Sequence, residues 1–211
     1  MKIHNLNLLN MDCMDFMKEC EDNAFDLAIV DPPYGIGMSG GLIGNSKQDY
    51  KHFHGNDAEA PPEEYYKEMF RVSKNQIIWG ANHFIEKFAK STACWIVWDK
   101  VQPEKFTMAM CELAWTSFDS PAKIYKQRIV GADKTRIHPT QKPVKLYEWL
   151  LTNYAKPDQK ILDTHGGSMS LAIACHNLGY AATIIEIDED YFNAAIERIE
   201  NHVKQIRMEF A

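Results

Sequence analysis

Seven short apolar runs, separated by stretches with helical spacing, are the feature that most constrains the fold of this 211-residue chain. The alternation of strands and helices is typical of α/β proteins with a doubly wound, mainly parallel sheet. We therefore predict a seven-stranded, mostly parallel, doubly wound α/β sheet in a single domain over residues 1–211. The predicted strands are Ile3–Leu9, Phe25–Asp31, Gln76–Gly80, Cys94–Asp99, Cys111–Thr116, Lys160–Asp163 and Ala182–Ile187.

The motif Asp31-Pro32-Pro33-Tyr34 stands at the end of the second run. Ligands of open α/β sheets bind at the carboxyl ends of the strands, so a binding site is expected here. The prolines fix the backbone φ and donate no hydrogen bonds, so the turn is rigid. The Asp31 carboxylate, the Pro32 carbonyl and the Tyr34 ring together suit a planar ring that carries an exocyclic amine. Taken alone, the four residues also fit an ordinary turn with a surface tyrosine.

A second motif combines a glycine turn with an acid at the end of the next strand. Asp163-Thr164-His165-Gly166-Gly167-Ser168 follows one predicted strand and opens a helix, and Glu186 ends the strand after it. Glycines allow a ligand to approach the backbone, and an acid at this place binds ribose hydroxyls in nucleotide-binding folds. The phosphate-binding patterns typical of NAD and ATP sites do not occur here, so another nucleotide-like cofactor is indicated.

Charge is distributed unevenly along the chain, whose net charge is −6. The stretch 121–147 contains one acid, Asp133, and seven basic residues: Lys123, Lys126, Arg128, Lys134, Arg136, Lys142 and Lys145. One basic face on an acidic body is typical of a protein that binds a polyanion at one place. A solvated lysine-rich surface is the alternative.

Other segments limit the remaining classes. The glycine-rich stretch at about 35–60 is predicted to be a mobile loop, because long irregular loops in compact domains are usually functional or mobile. Five scattered cysteines without Cys-x-x-Cys spacing argue against disulfides and zinc, and we expect no metal site. The absence of a signal peptide or a membrane-length apolar run predicts a cytoplasmic protein.

The order of the motifs resembles the amino-type DNA methyltransferases of the circularly permuted β group. In that family an Asp-Pro-Pro-Tyr motif is followed by a target-recognition segment, a His-Pro-Thr-Gln-Lys-Pro motif and the glycine turn. This chain has the same order, with its third motif at residues 138–143. Met11-Asp12-Cys13 matches the short motif that contacts the cofactor's adenine. The resemblance covers nearly the whole chain and implies the methyltransferase sheet with S-adenosylmethionine as cofactor.

The resemblance also assigns roles to residues. The catalytic motif is Asp31-Pro32-Pro33-Tyr34, and a small recognition segment at about 117–137 contributes DNA-binding residues Lys123, Lys126, Arg128, Lys134 and Arg136. The residues implied in cofactor binding are Asp12, Cys13, Asp31, His138, Thr140, Gln141, Lys142, Asp163, His165, Gly166, Gly167, Ser168, Glu186 and Ile187. The partner is double-stranded DNA, members of the family are often dimers, and a bacterial or phage origin is implied.

We expect methyl transfer to the N6 amine of a flipped-out adenine, because an aspartate at the start of the motif favours adenine in this family. N4-cytosine methylation, which uses the same geometry, is one alternative. An inactive DNA-binding relative is the other, since Thr164, His165 and Met169 depart from the usual Asp-Pro-Phe-x-Gly-Ser-Gly-Thr turn. Cytosine C5 methylation needs a Pro-Cys pair that is missing here. Glutamine methylation uses an Asn-Pro-Pro-Tyr motif placed after the cofactor motif.

Overall fold

The computed structural model describes residues 1–37, 57, 59–103, 109–128, 136–138 and 140–209. Most of the loop predicted at 35–60, together with Lys134 and Pro139, lies outside the described residues. Within them, nine strands form one sheet. The strands are β1 (Lys2–Ile3), β2 (Leu6–Asn10), β3 (Phe25–Val30), β4 (Ser73–Trp79), β5 (Ile96–Asp99), β6 (Cys111–Thr116), β7 (Lys123–Lys126), β8 (Lys160–Asp163) and β9 (Ala181–Glu186). The helices are α1 (Cys13–Lys18), α2 (Glu63–Val72), α3 (Val144–Tyr154), α4 (Ser170–Leu178) and α5 (Glu189–Glu209).

The strand order is β1-β2-β9-β8-β3-β4-β6-β5-β7, and the five strands from β2 to β4 run parallel. β6 is antiparallel to both β4 and β5, and β7 is parallel to β5. The carboxyl ends of all strands except β1 and β6 therefore meet at one edge, which we call the site edge. The prediction of a mostly parallel α/β sheet is confirmed, but the count of seven strands is wrong.

The two additional strands have different causes. The first predicted strand is split because His4 adopts a left-handed φ of 51°, which turns β1 back to pair antiparallel with β2. β7 lies in the predicted recognition segment at about 117–137, where Lys123 and Lys126 hide the strand signal. Because β7 is the outer strand of the sheet, one of its edges faces solvent, where a polar composition is common.

Helices cover both faces of the sheet. On one face α3, α4 and α5 pack Leu150, Ala172 and Ile199 into the same cluster as Leu27 and Ile29 of β3. On the other face α1 and α2 pack against the alternate residues of the strands. Each fully buried aliphatic side chain contributes roughly 1.5–3 kcal/mol, so the two layers hold the site edge rigidly. Among the described residues, none of the helices has the length and apolarity that a membrane span requires.

After Gly80 the chain forms two short 3-10 helices, Ala81–His83 and Ile85–Lys87. Gly80 has a left-handed φ of 69°, and Phe84 interrupts the helical backbone between the two turns. This irregular segment places His83 beside the Asp-Pro-Pro-Tyr turn.

Met169 is the departure from the family's glycine turn that most clearly affects packing. It adopts the left-handed φ of 53° that favours glycine, but its side chain is fully buried in the core beneath α4. Its bulk therefore lies in the core.

We predict that Met169→Gly lowers the free energy of unfolding by about 1–3 kcal/mol. The cavity costs about 2–5 kcal/mol, and relief of the left-handed backbone returns about 1–2 kcal/mol. Denaturant unfolding measures the change, and calorimetry should show unchanged affinity for S-adenosylmethionine. Tighter cofactor binding in the variant would mean that Met169 obstructs the site.

Candidate active site

The Asp-Pro-Pro-Tyr turn and the glycine turn lie side by side. Asp31 follows β3 and Gly167 follows β8, and these strands are parallel neighbours with Leu27 opposite Ile161. β9, which ends at Glu186, pairs with the other side of β8. The structure thus brings the two main predicted motifs to adjacent positions on the site edge.

The Asp31 carboxylate is held at both oxygens. Oδ1 accepts a hydrogen bond of 2.7 Å from the Tyr34 hydroxyl, and Oδ2 accepts one of 2.5 Å from Lys142 Nζ. The backbone of the turn is fixed by Asp57, whose Oδ1 accepts from the Tyr34 and Gly35 N–H groups at 2.8 and 3.2 Å. Asp57 is therefore a support of the turn that the sequence did not predict.

The Tyr34 ring occupies a notch over Gly80. A Cβ atom at Gly80 would lie 2.1 Å from Tyr34 Cε1, so no other residue fits without moving the ring. The ring also stacks on His83, with centroids 5.4 Å apart and an interplanar angle of 18°. The aromatic platform of the site therefore consists of Tyr34 and His83 together.

A buried chain of charges reaches Asp31 from the β5–β6 hairpin. Lys142 Nζ lies 3.0 Å from Glu112 Oε2 and 3.2 Å from the Tyr34 hydroxyl. Lys100 Nζ lies 2.7 Å from the other oxygen, Glu112 Oε1. The side chains of Lys142 and Lys100 are only 2% and 7% exposed. Glu112 and Lys100 were not predicted as site residues, because neither lies in a recognisable motif.

This cluster shifts the pKa values of its members. Burial raises the pKa of Asp31, with Lys142 opposing the rise. Burial would also raise the pKa of Glu112, but the two lysines lower it to about 2. The carboxylates raise the pKa of Lys142 although burial opposes this. Lys142 therefore keeps its proton and cannot serve as a base near neutral pH.

The glycine turn is tied to the end of β9 through Glu186. Its Oε2 accepts a 2.6 Å hydrogen bond from the Gly167 N–H, and its Oε1 accepts one of 2.9 Å from the Asp188 N–H. A Cβ at Gly166 would lie 2.8 Å from Ile184 Cγ2, so the turn packs tightly on the sheet. At Gly167, by contrast, the nearest contact of such an atom among the described residues is the His138 ring, at 3.9 Å.

The two polar replacements in the glycine turn have a partner on α2. The Tyr65 hydroxyl lies 2.6 Å from Thr164 Oγ1, which lies 2.9 Å from His165 Nδ1. Burial lowers the pKa of His165 to about 4, so the ring is neutral near pH 7. Asp12 caps α1 by accepting from the Met14 N–H at 2.7 Å. Burial raises the pKa of the neighbouring Cys13 to about 12, so it stays a thiol.

The segment that contains the His-Pro-Thr-Gln-Lys-Pro motif contacts both the glycine turn and the Asp-Pro-Pro-Tyr turn. His138 stands between Gly167 and Tyr191, at 4.5 Å between the ring centroids of His138 and Tyr191. Burial lowers the pKa of His138 to about 4. Lys142 reaches Asp31 instead, so its contact lies in the half with the Asp-Pro-Pro-Tyr turn.

The remaining predicted cofactor residues have structural contacts of their own. Gln141 is buried and accepts from the Ile137 N–H, and Thr140 Oγ1 lies 3.0 Å from His138 Nδ1. The Ser168 carbonyl accepts from Arg198 at 2.7 Å. Ile187 is 68% exposed at the end of β9. Their contacts with a cofactor stay predictions.

The predicted DNA-binding residues divide between two ends of β7. Lys126 and Arg128 lie at the site edge, where Arg128 Nε donates to the Val101 carbonyl at 3.4 Å. Arg136 donates to the His138 carbonyl at 3.2 Å. Lys123 begins the strand, about 10 Å away, and its Nζ donates to Asn153 Oδ1 on α3.

Asp163 gives the site a pH-dependent stability. Burial raises the pKa of its carboxyl to about 8, although the His165 N–H donates to Oδ1 at 3.0 Å. Between the ordinary aspartate pKa of about 4 and this value, the folded state binds more protons than the unfolded state, so stability falls as pH rises.

We therefore predict that Asp163→Asn becomes more stable than the parent chain as pH rises from 5 to 8, by at most about 5 kcal/mol. The asparagine retains an oxygen that can accept from the His165 N–H. Denaturant unfolding of both chains across this pH range measures the difference. A difference that is independent of pH would contradict the raised pKa.

Comparison with known proteins assigns this site to a family. The family model for N6 and N4 methyltransferases, described as DNA methylase, matches residues 78–197. The type II methyltransferase M.HpaI of Haemophilus parainfluenzae is 24% identical over 92% of this chain and 74% of its own length.

Solved structures share the fold. The M1.HpyAVI complex with S-adenosylmethionine has a TM-score of 0.60 at 21% identity, covering 92% of this chain and 99% of its own. The cytosine-N4-specific PvuII DNA methyltransferase has a TM-score of 0.61 at 11% identity, covering 95% and 93%. This protein belongs to the N6/N4 DNA methylase family, whose cofactor is S-adenosylmethionine.

The residues at the site edge fit this cofactor. Gly167 leaves an open face below the His138 ring, where a nucleoside-sized group can approach the backbone. Glu186 lies at the end of β9 with both oxygens directed by backbone N–H groups, which suits it to accept from ribose hydroxyls as well. Asp12 and Cys13 follow β2, the next strand of the sheet.

Proposed function

We propose that this protein methylates the N6 amine of a flipped-out adenine in double-stranded DNA. The observation that carries the proposal is the position of the Asp31 carboxylate, at the end of β3 beside the glycine turn that follows β8. A target amine held by Asp31 and a cofactor held at Gly167 would then lie on neighbouring strand ends. The Asp-Pro-Pro-Tyr sequence supports adenine over cytosine by its resemblance to adenine-specific members.

The chain's own residues would act by position and charge. The lone pair of the adenine amine is delocalised into the ring, so the nitrogen is a weak nucleophile. Hydrogen bonds from the amine to the Asp31 carboxylate and the Pro32 carbonyl would hold the lone pair toward the cofactor. Asp31 would also stabilise the positive charge that develops on nitrogen, in a site from which water is excluded. The bound cofactor supplies the electrophilic methyl group.

The base must leave the duplex to reach Asp31. Extrusion costs a few kcal/mol, and stacking on an aromatic side chain returns roughly 1–3 kcal/mol. The Tyr34 ring, which stacks on His83, would be the platform for this stacking. We assign the same residues to cofactor and base binding as the resemblance does, with Lys142 moved from the cofactor to the base half of the site.

Nucleoside analysis tests the proposal. DNA is incubated with the protein and S-adenosylmethionine carrying a deuterated methyl group, then digested and examined by mass spectrometry. N6-methyldeoxyadenosine with the label is the expected product. Labelled N4-methyldeoxycytidine would show instead that cytosine is the target base. The absence of any labelled nucleoside, together with binding of DNA, would favour an inactive relative.

We propose that Lys126, Arg128 and Arg136 form the DNA-binding surface, because the first two lie at the site edge. Lys126→Ala combined with Arg128→Ala should lower the slope of log affinity against log salt by about two, or about one for each lost phosphate contact. Fluorescence anisotropy with a labelled duplex measures the slope. Lys123→Ala, at the far end of β7, is the matched control and should leave it unchanged. Equal slopes for all three chains would place the DNA elsewhere.

A further inference from the structure

The contact between Lys142 and Asp31 poses a problem for the proposed reaction. A lysine ammonium that pairs with a single carboxylate withdraws electron density from it and weakens it as an acceptor. Here the ammonium is shared. Its three donors have three partners, Asp31 at 2.5 Å, Glu112 at 3.0 Å and Tyr34 at 3.2 Å.

Glu112 is well placed to share the Lys142 ammonium with Asp31. Its other oxygen is fixed by Lys100 at 2.7 Å, so its carboxylate cannot turn freely. The four charged groups, two lysines and two acids, balance in a largely buried cluster. Glu112 and Lys100 come from β6 and from the residue after β5, so the hairpin sets their position independently of the Asp-Pro-Pro-Tyr turn.

We propose that Glu112 is a positioning residue for the target amine: it competes with Asp31 for the Lys142 ammonium and so keeps Asp31 able to accept from the base. Glu112 itself touches neither base nor cofactor in this account. Lys100 acts one step further out, by fixing Glu112. The inference deepens the proposed function and rests on it for its catalytic consequence.

Several ionisable groups face Asp31, and each enters the expected titration. The groups are Tyr34 on its own turn, Glu112 on β6, Lys142 before α3, Tyr147 on α3 and Asp163 at the end of β8. Of these groups, Lys142 forms an ion pair with Asp31 and a second one with Glu112. Removing the negative charge of Glu112 should therefore lower the Asp31 pKa, and removing the positive charge of Lys142 should raise it.

The test is a carboxyl titration of the full chain by carbon-13 NMR, with Asp31→Asn used to assign the Asp31 signal. In Glu112→Gln, Asp31 should titrate at lower pH than in the parent chain, and in Lys142→Met at higher pH. Glu68→Gln is the matched control, since Glu68 forms an ion pair with Arg71 and has a similar side-chain exposure of 25% against 22% for Glu112. It should leave the Asp31 titration unchanged.

A second variant covers the case in which Glu112→Gln alone fails to fold. Glu112→Gln combined with Lys100→Met restores charge balance and should still show Asp31 titrating at lower pH. An Asp31 titration that is unchanged, or that shifts upward in either Glu112 variant, would overturn the inference.

The catalytic consequence is measured separately. In Glu112→Gln, kcat should fall about 10- to 100-fold with little change in KM for DNA or cofactor, because the acceptor is weakened but the binding surfaces remain. The acid limb of its pH–rate profile should move to lower pH. An unchanged kcat with a shifted titration would overturn the assignment of Glu112 as a positioning residue for the reaction. Since the titration needs no turnover, an inactive parent chain would count against the proposed function and not against the charge linkage.

Discussion

Asp31→Ala is expected to reduce methyl transfer by about a thousandfold or more while S-adenosylmethionine still binds. The variant removes the acceptor that would hold the target amine and stabilise its developing charge, which is a contribution of this order in other preorganised sites. The cofactor side of the site, at Gly167 and Glu186, is unaffected by the change. Single-turnover transfer of a labelled methyl group measures the rate, and calorimetry measures cofactor binding.

Asp26→Ala is the control on the same strand. Asp26 lies at the opposite end of β3 from Asp31, and its carboxylate forms an ion pair of 2.7 Å with Lys74. Its replacement removes a carboxylate from the strand without changing the site edge, so the transfer rate should stay at the parent value. A rate for Asp31→Ala equal to that of Asp26→Ala would exclude Asp31 from the chemistry.

Gly80→Ala is expected to lower methyl transfer by about 100-fold. The new methyl group would fall 2.1 Å from the Tyr34 ring, so the ring must leave its notch and its stack on His83. The left-handed φ of 69° adds about 1–2 kcal/mol of backbone strain. A displaced platform misplaces the base, and misplacement of about 1 Å is enough for a loss of this size.

Gly179→Ala separates the two effects in that variant. Gly179 has a similar φ of 78°, but an added Cβ there meets no atom of the described residues within 4 Å. The Gly179→Ala variant should lose free energy of unfolding through the backbone strain alone, and its transfer rate should stay at the parent value. If both alanine variants lose activity equally, general destabilisation explains the loss and the notch over Gly80 is irrelevant to function.

The sequence predicted the positions of those motifs that directly follow a clearly apolar strand. The Asp31 and Gly167 motifs follow strands of strong apolar character, and parallel strands must bring their carboxyl ends to one edge. The pattern also located the central strands of the sheet. It missed β7, because a four-residue outer strand with a lysine at each end has little apolar signal.

The supporting residues of the site were beyond sequence reasoning. Glu112 and Lys100 are separated from Asp31 by about 70 to 80 positions, and the antiparallel β5–β6 hairpin alone brings them to the site edge. Gly80 resembled the ordinary end of a strand, although the Tyr34 ring fills the space above it. Met169 departs from the family's glycine turn, and the structure places its side chain in the core behind a left-handed backbone.

A crystal structure of the protein with S-adenosylhomocysteine and duplex DNA tests the central claim most directly. We expect an extruded adenine whose amine nitrogen lies within hydrogen-bond distance of both the Asp31 carboxylate and the Pro32 carbonyl. The adenine ring should stack on the Tyr34 ring. We also expect that Lys142 remains bound to Glu112. A structure in which the base enters elsewhere, while Asp31 keeps its contacts with Lys142 and Tyr34, would contradict that claim.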